Sequence, residues 1–240
     1  MRKPHRAFLP ALGVFVAFAG RPVLPSGTAR QAPVPARAPA PSLARPSTPG
    51  KAPDAAGFIQ RWLVLEPIKV AGQLTDSAVQ AAVKKDYFPN QFAVLPRDGD
   101  TVTVAGETLT WHALDTLGYN VNLYHFAYAL NRPTSNVLFW AVSIVEAPRD
   151  MPGVRLAIGS NAASIWWLNG AEVISLYNDR QAVIDDGVSK RMTLKAGQNV
   201  IRAAIINAGG ATDFCARLLD ESSNPIKGFT ITLDAKGKQP

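Results

Sequence analysis

Ser160, His125 and His112 are the residue types that acyl transfer would use. An esterase needs an activated nucleophile, a base and donors for the oxyanion. Ser160 sits in Gly159-Ser160-Asn161, on a loop after a strand. His112 follows Trp111 beside Asp115, and His125 reads as a strand residue sharing a face with Leu123 and Ala127. No G-x-S-x-G elbow is present and no spacing joins the three, so they stand as candidates without a demonstrated triad. Cys215, the single cysteine, reads as a buried small apolar residue. Two histidines and one thiol beyond the leader do not make a zinc site. Asp98 with Asp100, and Asp185 with Asp186, are hard-oxygen pairs in turns and the candidates for a structural calcium. No other cofactor is expected.

Carbohydrate binding needs less machinery. Aromatic rings stack on the apolar faces of sugars, and a few amides bond hydroxyls. Trp167, Trp111, Tyr119, Tyr124 and Tyr177 are the ring candidates, with Asn169 as an amide. Trp166 and Trp167 are strand neighbours and must face opposite ways. Trp166 is assigned to the core with Trp62 and Trp140, and Trp167 to a ligand or partner surface.

The elements that would position these groups are short apolar runs separated by turn chemistry. Asn169-Gly170 suits a tight hairpin turn. Residues 196–199, 208–211 and 222–225 mark further reversals. A strand is predicted at 58–65. Two central strands are predicted at 121–130 and 137–145, around the turn 131–134. The one helix is expected over 75–87, with Thr75 as cap and Ala78, Val79, Ala82 and Val83 as its buried stripe. The pattern is an antiparallel β-sandwich.

Several of these residues also carry a family pattern: Gly159-Ser160, Trp167-Leu168-Asn169-Gly170, Leu194-Lys195-Ala196-Gly197-Gln198-Asn199, Gly209-Gly210, Phe214, and Arg217 to Asp220. In these, 57–234 resembles the galactose-binding-domain-like sandwich modules of secreted bacterial proteins. The resemblance implies an all-β jelly roll. It also implies a glycan-associated role, since some relatives are labelled acetylxylan esterases. Asn161 and Ala162 replace the acidic pair of the family's G-S-D-D-G, removing the carboxylates through which relatives could hold a metal or polar ligand. A fold of this kind hosts many functions.

The first 19 residues read as an export leader: Arg2, Lys3 and Arg6, an apolar run, then Ala17-Phe18-Ala19. Residues 20–56 are Pro- and Ala-rich and read as a disordered arm. The formal charge of +7 lies in these parts, because residues 1–56 hold eight Lys or Arg and one Asp, leaving seventeen of each sign in 57–240. A neutral domain argues against nucleic acid. No membrane span is expected in the mature chain, and 235–240 read as a frayed tail. The sequence thus predicts a secreted or periplasmic jelly-roll sandwich with one short helix and a disordered Pro-rich arm. Its leading function is non-catalytic carbohydrate binding. The alternatives are a carbohydrate acetyl esterase and a structural module with a protein partner.

Overall fold

The computed structural model describes residues 43–70, 75–178 and 180–234. The leader, the arm as far as residue 42, and the tail at 235–240 lie outside them. In chain order the elements are β1 (Leu43–Ala44), β2 (Gly50–Lys51), β3 (Arg61–Leu65), β4 (Ile68–Lys69), α1 (Asp76–Lys84), β5 (Thr101–Val104), β6 (Glu107–Thr116), β7 (Val121–Asn122), α2 (Leu123–Ala129), β8 (Val137–Ala147), β9 (Met151–Ser160), β10 (Ala163–Leu168), β11 (Ala171–Leu176), β12 (Gly187–Val188), β13 (Met192–Leu194), β14 (Gly197–Asn207), β15 (Asp213–Leu219) and β16 (Thr230–Thr232).

All strand pairs are antiparallel, and the architecture is the predicted β-sandwich. The central sheet runs β1-β6-β3-β8-β14-β10-β11, with β4, β5, β16 and β2 joined at its margins. The second sheet runs β12-β9-β15-β7, with β13 on β9. One face of the central sheet meets the second sheet in a core of Trp62, Phe139, Trp166, Ile205, Phe214 and Leu218 among others. The opposite face is buried as well. Leu65, Trp111, Trp140, Val142 and Trp167 there pack under Val79 and Val83 of α1 and under Phe88 of the following segment. Burial on both faces explains why β3 and β8 read as largely apolar runs without period-two alternation.

The local signals formed as their chemistry requires. Thr75 Oγ1 accepts from Ala78 N at 3.3 Å and caps α1, whose Val79 and Val83 point inward. Asn169 (φ 49°) and Gly170 (φ 84°) make the predicted hairpin turn. A Cβ on Gly159 would lie 2.2 Å from Val183 O, so only glycine lets that loop seat on β9.

Two expectations are corrected. The run at 121–130 is a two-residue strand followed by a helix, so the described residues hold two helices where one was expected. Asn122 Oδ1 accepts from His125 N at 2.7 Å, and Leu123, Phe126 and Ala127 form the helical stripe that enters the core. The same residues fit period two over a short stretch, but the cap and the i, i+3, i+4 stripe decide for a helix. Order also begins before residue 57. β1 pairs with β6 and β2 with β16. Arg61, fully buried, donates to Thr48 O at 2.7 Å and to both carboxylate oxygens of Asp115. A buried guanidinium needs such partners, so the last part of the arm completes the domain.

Candidate functional site

An exposed aromatic pair lies on α2, at the end of the sandwich where β7 and β15 meet. β7 pairs with the start of β15, and Thr212 O accepts from Leu123 N at 2.8 Å. Three buried side chains fix the helix, so its remaining face is left to solvent. Tyr124 is 36 % exposed and Tyr128 is 61 % exposed. They stand one helical turn apart, with ring centroids 6.2 Å apart and planes within 9° of parallel. His125 lies between them in sequence and edge-on to Tyr124.

Behind α2 the polar groups are positioned by turns. Asn161 Oδ1 accepts from Asp213 N at 2.7 Å, and Asn161 N donates to Asp213 O at 3.2 Å. Asn207 Nδ2 donates to Thr134 O at 2.9 Å. Asp213 Oδ1 and Thr212 Oγ1 are buried without a hydrogen-bond partner. Burial raises the Asp213 carboxyl above its ordinary range, and the charge of His125 pulls the other way. A cavity of about 60 Å³ lined by Tyr177, Ala162, Asn207 and Gly209 adjoins the same turn. Chemically, this end offers two exposed aromatic rings, which suit stacking against a ring.

The catalytic candidates are not assembled into a triad. Ser160 is 0 % exposed, and its hydroxyl donates to Ala162 O at 2.9 Å, so substrate cannot reach it. His125 is a helical residue and not a strand residue. His112 bonds Glu66 Oε1 at 3.3 Å. Glu66 Oε2 in turn accepts from Arg132 at 2.6 Å and from Thr110 N at 3.2 Å, making His112 part of a saturated ionic network. Cys215 is buried, and burial pushes its thiol up to about 11, away from nucleophilic use.

The calcium candidates are all engaged. Asp98 accepts from Ala113 N at 2.8 Å and Asp100 from Arg97 N at 2.7 Å. Asp185 pairs with Arg217 and Asp186 with Arg180. Among the described residues no group of three or more His, Cys, Asp or Glu gathers at metal-binding spacing.

The predicted ring and amide residues do not converge. Tyr124 lies on α2, whereas Tyr177 packs against the covered-face cluster and lines the small cavity at Asn207 and Gly209. Asn169 serves the hairpin at the other end, where its side chain bonds Asn199 Oδ1 at 3.0 Å and Val200 N at 2.8 Å. Trp111 is buried on the covered face against Phe88. Trp166 and Trp167 do face opposite ways, but Trp167 is only 8 % exposed and not on an open surface. It stacks on Trp140 at 5.7 Å and lies under Phe92, because the segment after α1 roofs this face. Tyr128 and Asp213 were not singled out from sequence. The spacing Tyr124-x-x-x-Tyr128 is legible only once the segment is taken as a helix.

No family model matches the chain, and no curated protein matches it. Solved structures similar to it include an anti-sigma factor domain-containing protein from Clostridium clariflavum, with TM-score 0.41 and 8 % identity over 76 % of this chain and 49 % of that one. The chain thus spans about half the length of that protein. A PA14 sugar-binding domain from an RTX adhesin aligns with TM-score 0.40 and 12 % identity over 71 % of this chain and 96 % of that one. The PA14 domain of the antifreeze protein MpAFP aligns with TM-score 0.43 and 15 % identity over 76 % and 94 %. These likenesses assign neither a site nor a ligand. Among the described residues no helix is long and apolar enough to cross a membrane.

Proposed function

We propose that this chain is a secreted, non-catalytic carbohydrate-binding accessory module whose contact surface is the α2 end of the sandwich. The observation that carries the reading is the parallel, solvent-facing pair Tyr124 and Tyr128 on a helix anchored by its opposite face. Two exposed rings one helical turn apart offer stacking surface to the apolar face of a pyranose, and the stem of α2 keeps them in place without ligand. The leader-like residues 1–19 support export. The buried hydroxyl of Ser160 favours binding over esterase chemistry.

A glycan array followed by titration tests this. The intact protein should bind at least one glycan class. Tyr124→Ala with Tyr128→Ala should weaken that binding about tenfold, the scale of two aromatic contacts of about 0.5–1.5 kcal/mol each. The melting transition should hardly move. An array with no bound glycan, or affinity untouched by the double substitution, would remove the reading.

A further inference from the structure

The covered face of the central sheet holds a cation that the fold does not balance. Arg202 is 3 % exposed in β14, opposite Trp167 of β10 and Val142 of β8. Its two terminal nitrogens donate to the backbone carbonyls of Phe92 and Val94, and Nε is buried without a partner. Among the described residues no carboxylate pairs with it. A buried guanidinium is normally paired with an anion, because neutral carbonyls offset only part of its desolvation. Burial lowers its pKa to about 10, so it stays charged at neutral pH.

The surroundings have the same bias. Trp111 Nε1 and Trp140 Nε1 are also buried without acceptors, so among the described residues the orphaned side-chain atoms on this face are all donors. Beside Arg202, the indoles of Trp140 and Trp167 stack at 5.7 Å with planes 28° apart. A single ring lies against both, that of Phe92, edge-on at 5.5 Å to Trp140 and 5.6 Å to Trp167. Phe92 is 38 % exposed, so it forms the outer wall of this layer. It belongs to the irregular segment that follows α1, which holds no strand pairing over 85–96.

We infer that this face is a closed binding site for a uronate residue of an acidic polysaccharide, with Phe92 standing where the sugar ring would stack. The carboxylate would take the terminal nitrogens of Arg202 from the carbonyls of Phe92 and Val94, in the two-bond geometry that guanidinium favours. The apolar face of the pyranose would lie on the Trp140–Trp167 pair in place of the phenyl ring. Hydroxyl and ring oxygens would supply acceptors for indole N–H groups. A simple aromatic acid meets the charge but brings no further acceptors, so the donor surplus favours the sugar acid. The tyrosine platform on α2 plays no part in this site.

Titration of the full protein with trigalacturonate, followed by tryptophan fluorescence, tests the inference. Phe92→Ala removes the competing ring but keeps the carbonyl that holds Arg202. It should bind trigalacturonate about tenfold more tightly than the intact protein, as expected when a closed state no longer competes. The methyl-esterified trisaccharide removes charge from the ligand and should bind at least about tenfold more weakly. Arg202→Met should abolish the difference between the two ligands. If that variant fails to fold, the ester comparison with the intact protein and Phe92→Ala decides. Equal binding of acid and ester, or no gain from Phe92→Ala, would overturn the inference. Loss of uronate binding in the Tyr124→Ala, Tyr128→Ala variant would place the acidic sugar on α2 and overturn it as well. Retained uronate binding in that variant separates this site from the tyrosine platform.

Discussion

On the face of the central sheet turned to the second sheet, Trp62 and Trp166 each give their indole N–H to an acceptor, Ile59 O at 2.9 Å and Ser164 Oγ at 3.0 Å. On the other face Trp111 and Trp140 have none. Among the described residues the orphaned atom facing the first layer is the Ser143 hydroxyl, which can donate or accept, whereas those of the second layer, Trp111 Nε1, Trp140 Nε1 and Arg202 Nε, are all donors. The first face is closed by paired strands with a set register, which fixes where polar atoms meet. The second is closed by a helix and an irregular segment, whose ring and carbonyls cover the indoles and Arg202 without matching them. A buried face can therefore be apolar and close-packed and still be incomplete in its hydrogen bonding. The mismatch falls where Arg202 and the stacked indoles lie.

Large-to-small substitutions should break or confirm this contrast most directly. Trp166→Ala opens a cavity in the layer between two sheets and should cost about 3–5 kcal/mol in denaturant melts. Trp167→Ala should cost less, about 2–3 kcal/mol, because Phe92 is free on one side to settle into the space. Equal costs would mean that the covering segment is as rigid as a sheet.

Ser164→Ala makes the first face resemble the second. It removes the acceptor of the Trp166 indole and leaves a buried donor unpaired, as Trp140 already is. The expected loss is about 1–2 kcal/mol, read from the shift of the denaturant midpoint at unchanged slope. No loss would show that unpaired indole donors are tolerated here and would weaken the reading of the second face.

The smallest effect is expected at Asp213, the orphaned acceptor at the α2 end. Desolvation raises its carboxyl in the folded state, so its ionised form subtracts stability at neutral pH and its protonated form subtracts none. Asp213→Asn should melt higher than the intact protein at pH 7, by about 2 °C or less for a domain of this size. The gap should close as pH falls through the raised range of Asp213 towards its unfolded value. A gap that widens in acid would reverse the assigned direction.

Much of this was legible in the residues. Turn pairs such as Asn169-Gly170, the Thr75 cap and the short apolar runs dictate an antiparallel sandwich, because backbone preferences and period-two burial act locally. The opposite orientation of Trp166 and Trp167 is equally local, since adjacent strand residues must diverge. What each ring meets is not local. Whether Trp167 is open or roofed depends on a segment some seventy-five residues away in sequence, from which Phe92 reaches it. A still longer separation, 110 residues from Phe92, hid Arg202, which reads in the sequence only as one charge inside Val200-Ile201-Arg202-Ala203-Ala204. The seven residues of α2 satisfied both a strand and a helix pattern, and the Asn122 cap with burial of Leu123, Phe126 and Ala127 selected the helix. That selection turned Tyr124 and Tyr128 outward together. The sequence determined which surfaces must be buried, and only the tertiary structure decided what covers them, because local preference sets a side chain's direction and long-range packing sets its neighbour.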